Sequence, residues 1–123
     1  MSGWGWLAVW VFGMALSIAL HEAGHVFAGL AHGWQYKGIF VKPKVCGVGV
    51  NLEPNGHERD LWKVAIAGPL TTLYIATVCA LLPGPVFHSL MWLNLSILAI
   101  NILPLKITDG GLVIRGLRER SVA

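Results

Sequence analysis

Three long apolar stretches constrain this chain more than any other feature. They run from residue 4 to about 31, from 61 to 82 and from 86 to 103. A helix needs about 20 residues to cross a hydrocarbon core about 30 Å thick, and each stretch is close to that length or longer. With 55% hydrophobic and 12% charged residues, the chain is predicted to be an integral membrane protein, folded as a single membrane-embedded domain over residues 1–123.

The basic residues predict how the chain is oriented. All nine Lys and Arg residues lie either between or beside the first two apolar stretches or after the third. Because positively charged loops stay in the cytoplasm, we expect the N-terminus and the turn at residues 83–85 outside, in a bacterial inner membrane. Topology accounts for the basic charge, so no nucleic-acid partner is predicted, and the lipid bilayer is the partner that the composition requires.

The segment between the first two spans changes from a helical to an extended pattern. Ile39, Val41, Val48 and Val50 stand among glycines and a Lys-Pro-Lys break at residues 42–44, a composition typical of two short strands. Strand edges cannot face lipid, so such a hairpin should pack on protein or lie at the cytoplasmic surface. The predicted fold class is membrane all-α, with three transmembrane helices and a short β-hairpin between helices one and two.

Two further expectations concern proline and tryptophan. Pro69 lies within the second span, where it removes a backbone hydrogen bond and should bend or interrupt the helix. Trp34 and Trp62 are expected to anchor the chain at the inner membrane interface, opposite an outer group near the N-terminus.

The first apolar stretch contains three ionisable side chains, in the run His21-Glu22-Ala23-Gly24-His25. Helical residues four apart share one face, so His21 and His25 could hold one divalent ion. Glu22 is turned about 100° from His21, from where it could take a proton from water bound to that ion. The alternative is a set of buried polar residues satisfied by neighbouring helices. The cost of ionisable groups inside a membrane favours a functional site.

A catalytic zinc ion needs a third protein ligand. His32 lies seven residues beyond His25, about 10 Å along the helix axis, and is too far away to bind the same ion. Asp109 follows the third span and is flanked by two glycines that permit close approach of the backbone. At about 1.5 Å per residue from Trp4, His21 lies about 25 Å into the hydrocarbon core. This is the cytoplasmic side of the membrane, where the third span ends and Asp109 follows. An ordinary Asp-Gly turn is the alternative interpretation of Asp109.

Three short motifs occur in order along the chain. HEAGH lies in the first span, Ala67-Gly68-Pro69 in the second, and N-x-x-P-x-x-x-x-D-G-G over residues 101–111 at the end of the third. Together they resemble the site-2 protease family of intramembrane zinc metalloproteases, over nearly the whole chain. The resemblance implies that Zn²⁺ is bound by His21, His25 and Asp109. It also implies that Glu22 activates water and that Asn101 holds the substrate backbone or the developing oxyanion.

The resemblance implies an enzyme, a zinc-dependent metalloendopeptidase that performs intramembrane proteolysis on membrane-spanning protein substrates, with its active site toward the cytoplasm. A second copy of the chain or a regulatory membrane protein is a further candidate partner. The alternative function is a metal carrier or sensor in the membrane, which would keep the three ligands but would not need Glu22. For Asn101, the alternative is a helix-end hydrogen bond to carbonyls freed by Pro104. Thr72 departs from the family pattern, in which Asn often follows the Ala-Gly-Pro motif.

Overall fold

The computed structural model describes residues 1–42, 47–103 and 109–122. These residues form four α-helices, α1 (Gly3–Ala31), α2 (Leu61–Leu81), α3 (Pro85–Ile102) and α4 (Asp109–Val122), a short 3-10 helix (Glu58–Asp60) before α2, and two strands, β1 (Gln35–Lys42) and β2 (Gly47–Glu53). The first three α-helices are long and apolar enough to cross a membrane, and their ends lie within one residue of the predicted spans. The predicted fold class, three membrane helices with a hairpin after the first, is confirmed.

The second helix lies at the centre of the structure and packs against α1, α3 and α4. The buried residues of α1 are Ser17, His21, His25 and Gly29. They recur at every fourth position and therefore form one face of the helix. Close packing explains Gly24 beside this face, since a Cβ there would lie 2.9 Å from the Ala67 carbonyl oxygen of α2. The fold therefore presents both histidines of the motif to the central helix.

The hairpin pairs β1 with β2 in antiparallel register, from Gln35 opposite Glu53 to Lys42 opposite Gly47. The register shifts after Tyr36, next to Gly38, whose φ of 107° is a conformation that suits glycine. Both strands contact α1, so the hairpin packs on protein, as expected for a sheet beside a membrane. The predicted turn residues Pro43 and Lys44 lie outside the described residues.

The fourth helix begins at Asp109 and is held in place by two glycines. A Cβ at Gly110 would meet the Ile102 carbonyl oxygen at the end of α3, and one at Gly116 would lie 2.8 Å from the Trp62 backbone nitrogen of α2. These close approaches fix the start of α4 between α2 and α3. The break predicted at Pro104 lies outside the described residues.

Two expectations from the sequence need correction. The helix α2 is not interrupted at Pro69 but continues through it to Leu81, because packed neighbouring helices support a membrane helix that lacks one backbone hydrogen bond; a bend at Pro69 stays a prediction. Trp34 is not an interfacial anchor, since it is 7% exposed and its indole Nε1–H donates to the His57 carbonyl oxygen at 3.0 Å. It instead ties the turn after α1 to the loop before α2.

Candidate active site

Two side chains of α1, His21 and His25, meet Asp109, which lies 88 and 84 residues later, respectively, at the start of α4. The Nε2 atoms of His21 and His25 lie 3.3 Å apart, and Asp109 Oδ2 lies 2.8 Å from the former and 3.2 Å from the latter. The two histidines are 4% and 6% exposed, and the Asp109 side chain is 14% exposed. Among the described residues, these three form the cluster that could hold a metal ion.

A backbone carbonyl determines the orientation of His25. The Nδ1 atom of this ring lies 2.8 Å from the Val64 carbonyl oxygen. A carbonyl can only accept a hydrogen bond, so Nδ1 carries the proton and donates it. In the neutral ring, Nε2 of His25 then carries no hydrogen, and its lone pair points at His21 and Asp109. A metal-binding histidine is held in this way when its second nitrogen donates to a backbone or side-chain acceptor.

The orientation of His21 depends on a side chain instead. Its Nδ1 atom lies 2.8 Å from the Thr72 hydroxyl oxygen, and that hydroxyl lies 3.2 Å from the Gly68 carbonyl oxygen, to which it donates. Thr72 is fully buried, at 0% exposure. With Nδ1 bonded to Thr72, Nε2 of His21 faces the same point as Nε2 of His25.

Asp109 supplies a negative charge to this cluster. Burial by itself would raise the pKa of the Asp109 carboxyl, but hydrogen bonds from Nε2 of His21 and His25, in their protonated metal-free form, outweigh it and lower the pKa to about 2. The carboxylate is therefore ionised at neutral pH and faces two imidazole nitrogens.

The spacing of these atoms suits a divalent cation. Ligand atoms about 2.0 to 2.2 Å from a tetrahedrally coordinated zinc ion lie about 3.3 to 3.6 Å from one another, close to the separations of 2.8 to 3.3 Å seen in the cluster. Two imidazoles and one carboxylate are a ligand set found in zinc enzymes, and three protein ligands leave a coordination position free. The chemistry of the donor set therefore fits a catalytic metal.

Gly68 of α2 leaves the space that this cluster needs. A Cβ at this position would lie 2.8 Å from His21 Nε2 and would also meet Nε2 of His25. Glycine is therefore required where α2 passes the two ligand atoms. Gly68 of the Ala-Gly-Pro motif thus has a local role at the cluster, whereas the sequence analysis assigned a structural effect to Pro69 alone.

Glu22 lies on a neighbouring face of α1 and opens onto a cavity between α1 and the hairpin. The cavity has a volume of ≈ 650 Å³, and Val50 of β2 lines it together with Glu22. Glu22 is the single charged residue among the described residues that line this cavity. The other lining residues are Ala15, Ile18, Ala19, Ala23, Val26, Phe27, Tyr36, Ile39, Gly49 and Val50.

His32 and Asn101, two other polar residues considered in the sequence analysis, form hydrogen bonds to backbone carbonyls of their own helices. His32 ends α1, and its Nδ1–H donates to the Ala28 carbonyl oxygen at 2.7 Å, away from the metal-ligand cluster as expected. Asn101 donates from Nδ2 to the Ile97 carbonyl oxygen at 2.8 Å, within α3. The Asn101 amide therefore bonds to the backbone of its own helix. A contact between Asn101 and a substrate stays a prediction.

Three contributors to the cluster were not predicted: Val64, Gly68 and Thr72. The Val64 carbonyl carries no sequence signal because every residue has one. Thr72 had a signal in its spacing, since it follows Gly68 by one helical turn on the face of α2 that is buried against α1.

Comparison with known proteins gives two informative similarities. The chain is 30% identical to stage IV sporulation protein FB of Bacillus subtilis over 106 aligned positions, which cover 80% of this chain and 36% of that protein. It is 28% identical to the zinc metalloprotease MJ0392 of Methanocaldococcus jannaschii over 126 aligned positions, 95% of this chain and 35% of that protein. No family model matches the chain.

The chain thus spans about a third of the length of the curated relatives it matches. Both similarities agree with the motifs in its sequence, and three membrane-length helices agree with an integral membrane protein. The resemblance drawn from the sequence is confirmed, since both of these homologues are members of the site-2 protease family.

Proposed function

We propose that this chain is an intramembrane zinc metalloprotease that hydrolyses peptide bonds of membrane-spanning proteins. One observation carries the proposal: α1 presents two imidazole ligands on the face buried against α2 and a carboxylate, Glu22, on the neighbouring face that opens onto an apolar cavity. The relative described as a zinc metalloprotease supports the same chemistry.

The proposed ligands are His21, His25 and Asp109. A zinc ion bound there would act as a Lewis acid that polarises the peptide carbonyl and lowers the pKa of a water molecule to about 7. Glu22 would take the proton of the attacking water and pass it to the leaving amine, because it lies one residue from a ligand and is not itself part of the cluster. Asn101 is the proposed amide donor to the substrate backbone or oxyanion.

The cavity supports an apolar substrate in an extended conformation. A transmembrane helix hides its peptide bonds in its own hydrogen bonds, so the segment to be cut must first unwind. The cavity wall opposite α1 consists of residues from β1 and β2, and the hairpin offers edges on which an unwound segment could add as a strand. Alanines on α1 leave room for apolar substrate side chains beside Glu22.

Strand addition is tested at Ile39, which lines the cavity in β1. Ile39→Pro removes a backbone N–H, whereas Ile39→Ala removes only the side chain beyond Cβ. We expect the proline variant to cleave a membrane substrate much more slowly than the alanine variant. Equal rates for the two variants would show that the strand backbone does not bind substrate.

The proposed orientation places the N-terminus outside and the candidate active site toward the cytoplasm, following the distribution of Lys and Arg. A cysteine introduced at Gly84, in a chain with Cys46 and Cys79 replaced by serine, should react with a membrane-impermeant thiol reagent added outside bacterial spheroplasts. Reaction only after the membrane is opened would reverse the assignment.

The activity is tested with a purified single-span substrate in liposomes. Wild-type chain should cleave it, a zinc chelator should stop cleavage, and Glu22→Gln should lower the rate by at least about 10²- to 10⁴-fold, the usual contribution of a general base. Glu53→Gln, which removes an exposed carboxylate of β2 paired with Lys37, is the matched control and should cleave normally. Full activity of Glu22→Gln would exclude the proposed protease mechanism, and the alternative of a metal carrier or sensor would then be favoured.

A further inference from the structure

We propose that Thr72 is a positioning residue for the candidate metal site, with its hydroxyl fixing the tautomer and the ring orientation of His21. The inference rests on the proposed function, since it assumes that His21 binds a metal. Its basis is the buried contact of 2.8 Å between the Thr72 hydroxyl oxygen and His21 Nδ1, on the side of the ring opposite the cluster.

The direction of the hydrogen bonds follows from the contacts of Thr72. A hydroxyl has one hydrogen and two lone pairs. In the proposed arrangement, the hydrogen of Thr72 is directed to the Gly68 carbonyl oxygen at 3.2 Å, which can only accept, and the hydroxyl oxygen accepts from Nδ1–H of His21. Nε2 of His21 then carries the free lone pair. The hydrogen-bond chain therefore selects the tautomer that a metal ligand requires.

The two histidines differ in what holds them. His25 donates to the backbone carbonyl of Val64, an acceptor that no substitution removes. His21 donates to a side chain that is 0% exposed, so water has no access with which to replace a lost hydroxyl. Removing the Thr72 hydroxyl would leave Nδ1–H of His21 buried without an acceptor and would stabilise the wrong tautomer or a rotated ring.

Thr71 provides an internal control for this inference. Like Thr72, it is a threonine of α2 whose hydroxyl donates to the carbonyl four residues earlier, Ala67, at 2.8 Å. It faces Gly24 of α1 instead of a histidine. Replacement of either threonine by valine therefore removes the same kind of helix contact, but only one replacement removes a partner of His21.

The test measures zinc affinity of the full chain in detergent by competition with a chromophoric chelator, for Thr72→Val, Thr72→Ser and Thr71→Val. We expect Thr72→Val to bind zinc about 10- to 100-fold more weakly, the usual effect of losing such a partner. Thr72→Ser, which keeps the hydroxyl, and Thr71→Val should bind within a few-fold of wild type. Should Thr72→Val fail to fold, as judged by helical circular dichroism, Thr72→Ala is measured in its place with the same expectation.

Equal affinities for the Thr72→Val and Thr71→Val variants, or a failure of serine to restore binding, would overturn the positioning role. His21→Ala separates this outcome from failure of the proposed function. If His21→Ala abolishes zinc binding while Thr72→Val binds normally, the positioning inference alone is wrong. If His21→Ala binds zinc as tightly as wild type, the metal site itself is wrong and the inference about Thr72 is overturned with it.

Discussion

Two neighbouring faces of α1 have opposite surroundings. The face with His21 and His25 is buried against α2, and each imidazole is bonded on its far side to Thr72 or Val64. The face with Glu22 opens onto a cavity of ≈ 650 Å³ with apolar walls. A rotation of about 100° between successive residues is enough to separate the two environments. Under the proposed function, this difference would let one helix hold two metal ligands rigidly and still present a carboxylate to a substrate.

The largest effect is expected from removing any one of the three proposed metal ligands, two on the buried face of α1 and one on α4. His21→Ala, His25→Ala and Asp109→Ala should each reduce bound zinc from about one ion per chain to nearly none and abolish cleavage, because two ligands do not make a stable catalytic site. The measurement is metal content by mass spectrometry after gel filtration.

His32→Ala is the control for the ligand variants. It removes a histidine from the end of the same helix, where the ring bonds to the Ala28 carbonyl. Zinc content should stay at the wild-type value. A loss of zinc equal to that of His25→Ala would contradict the assignment of the third ligand to Asp109.

A smaller effect is expected from crowding the buried face without removing a ligand. Gly68→Ala places a Cβ 2.8 Å from His21 Nε2, so the imidazoles must move. A displacement of about 1 Å at a catalytic centre can cost about 10²-fold in rate, and we expect a loss of that order in kcat together with weaker zinc binding. Gly3→Ala, at a position with nothing within 4 Å of the added Cβ, should leave both unchanged. Wild-type kcat for Gly68→Ala would show that α2 is farther from the ligands than described.

The smallest effect is expected from filling part of the cavity beside the face of α1 that carries Glu22. Ala19 lines the cavity, and Ala19→Leu should fill part of it, raising KM for substrates with bulky apolar side chains by roughly 10-fold, as a few methylene groups do in an apolar pocket. Zinc content should not change. Ala8→Leu, at an exposed position of the same helix, is the control. An unchanged KM for Ala19→Leu would show that substrate does not enter this cavity.

The sequence predicted the three membrane helices and the hairpin because hydrophobic length and strand composition are local signals. It also predicted that His21, His25 and Asp109 would meet, from spacing on one helix, depth counting and motif resemblance. The continuation of α2 through Pro69 and the burial of Trp34 could not be predicted, since both depend on which neighbours pack against them. The contacts of Val64, Gly68 and Thr72 with the histidines depend on the rotation of α2 against α1, which hydrophobic composition does not determine.

The proposed function requires that the two histidine ligands and the carboxylate of Glu22 lie on separate faces of α1. X-ray absorption at the zinc edge of the Glu22→Gln variant tests it most directly. We predict the wild-type spectrum, with two imidazole nitrogens and oxygen ligands at about 2.0 to 2.2 Å, in a protein that no longer cleaves. A changed coordination shell, or loss of zinc from this variant, would place Glu22 on the metal and contradict its proposed role as the general base.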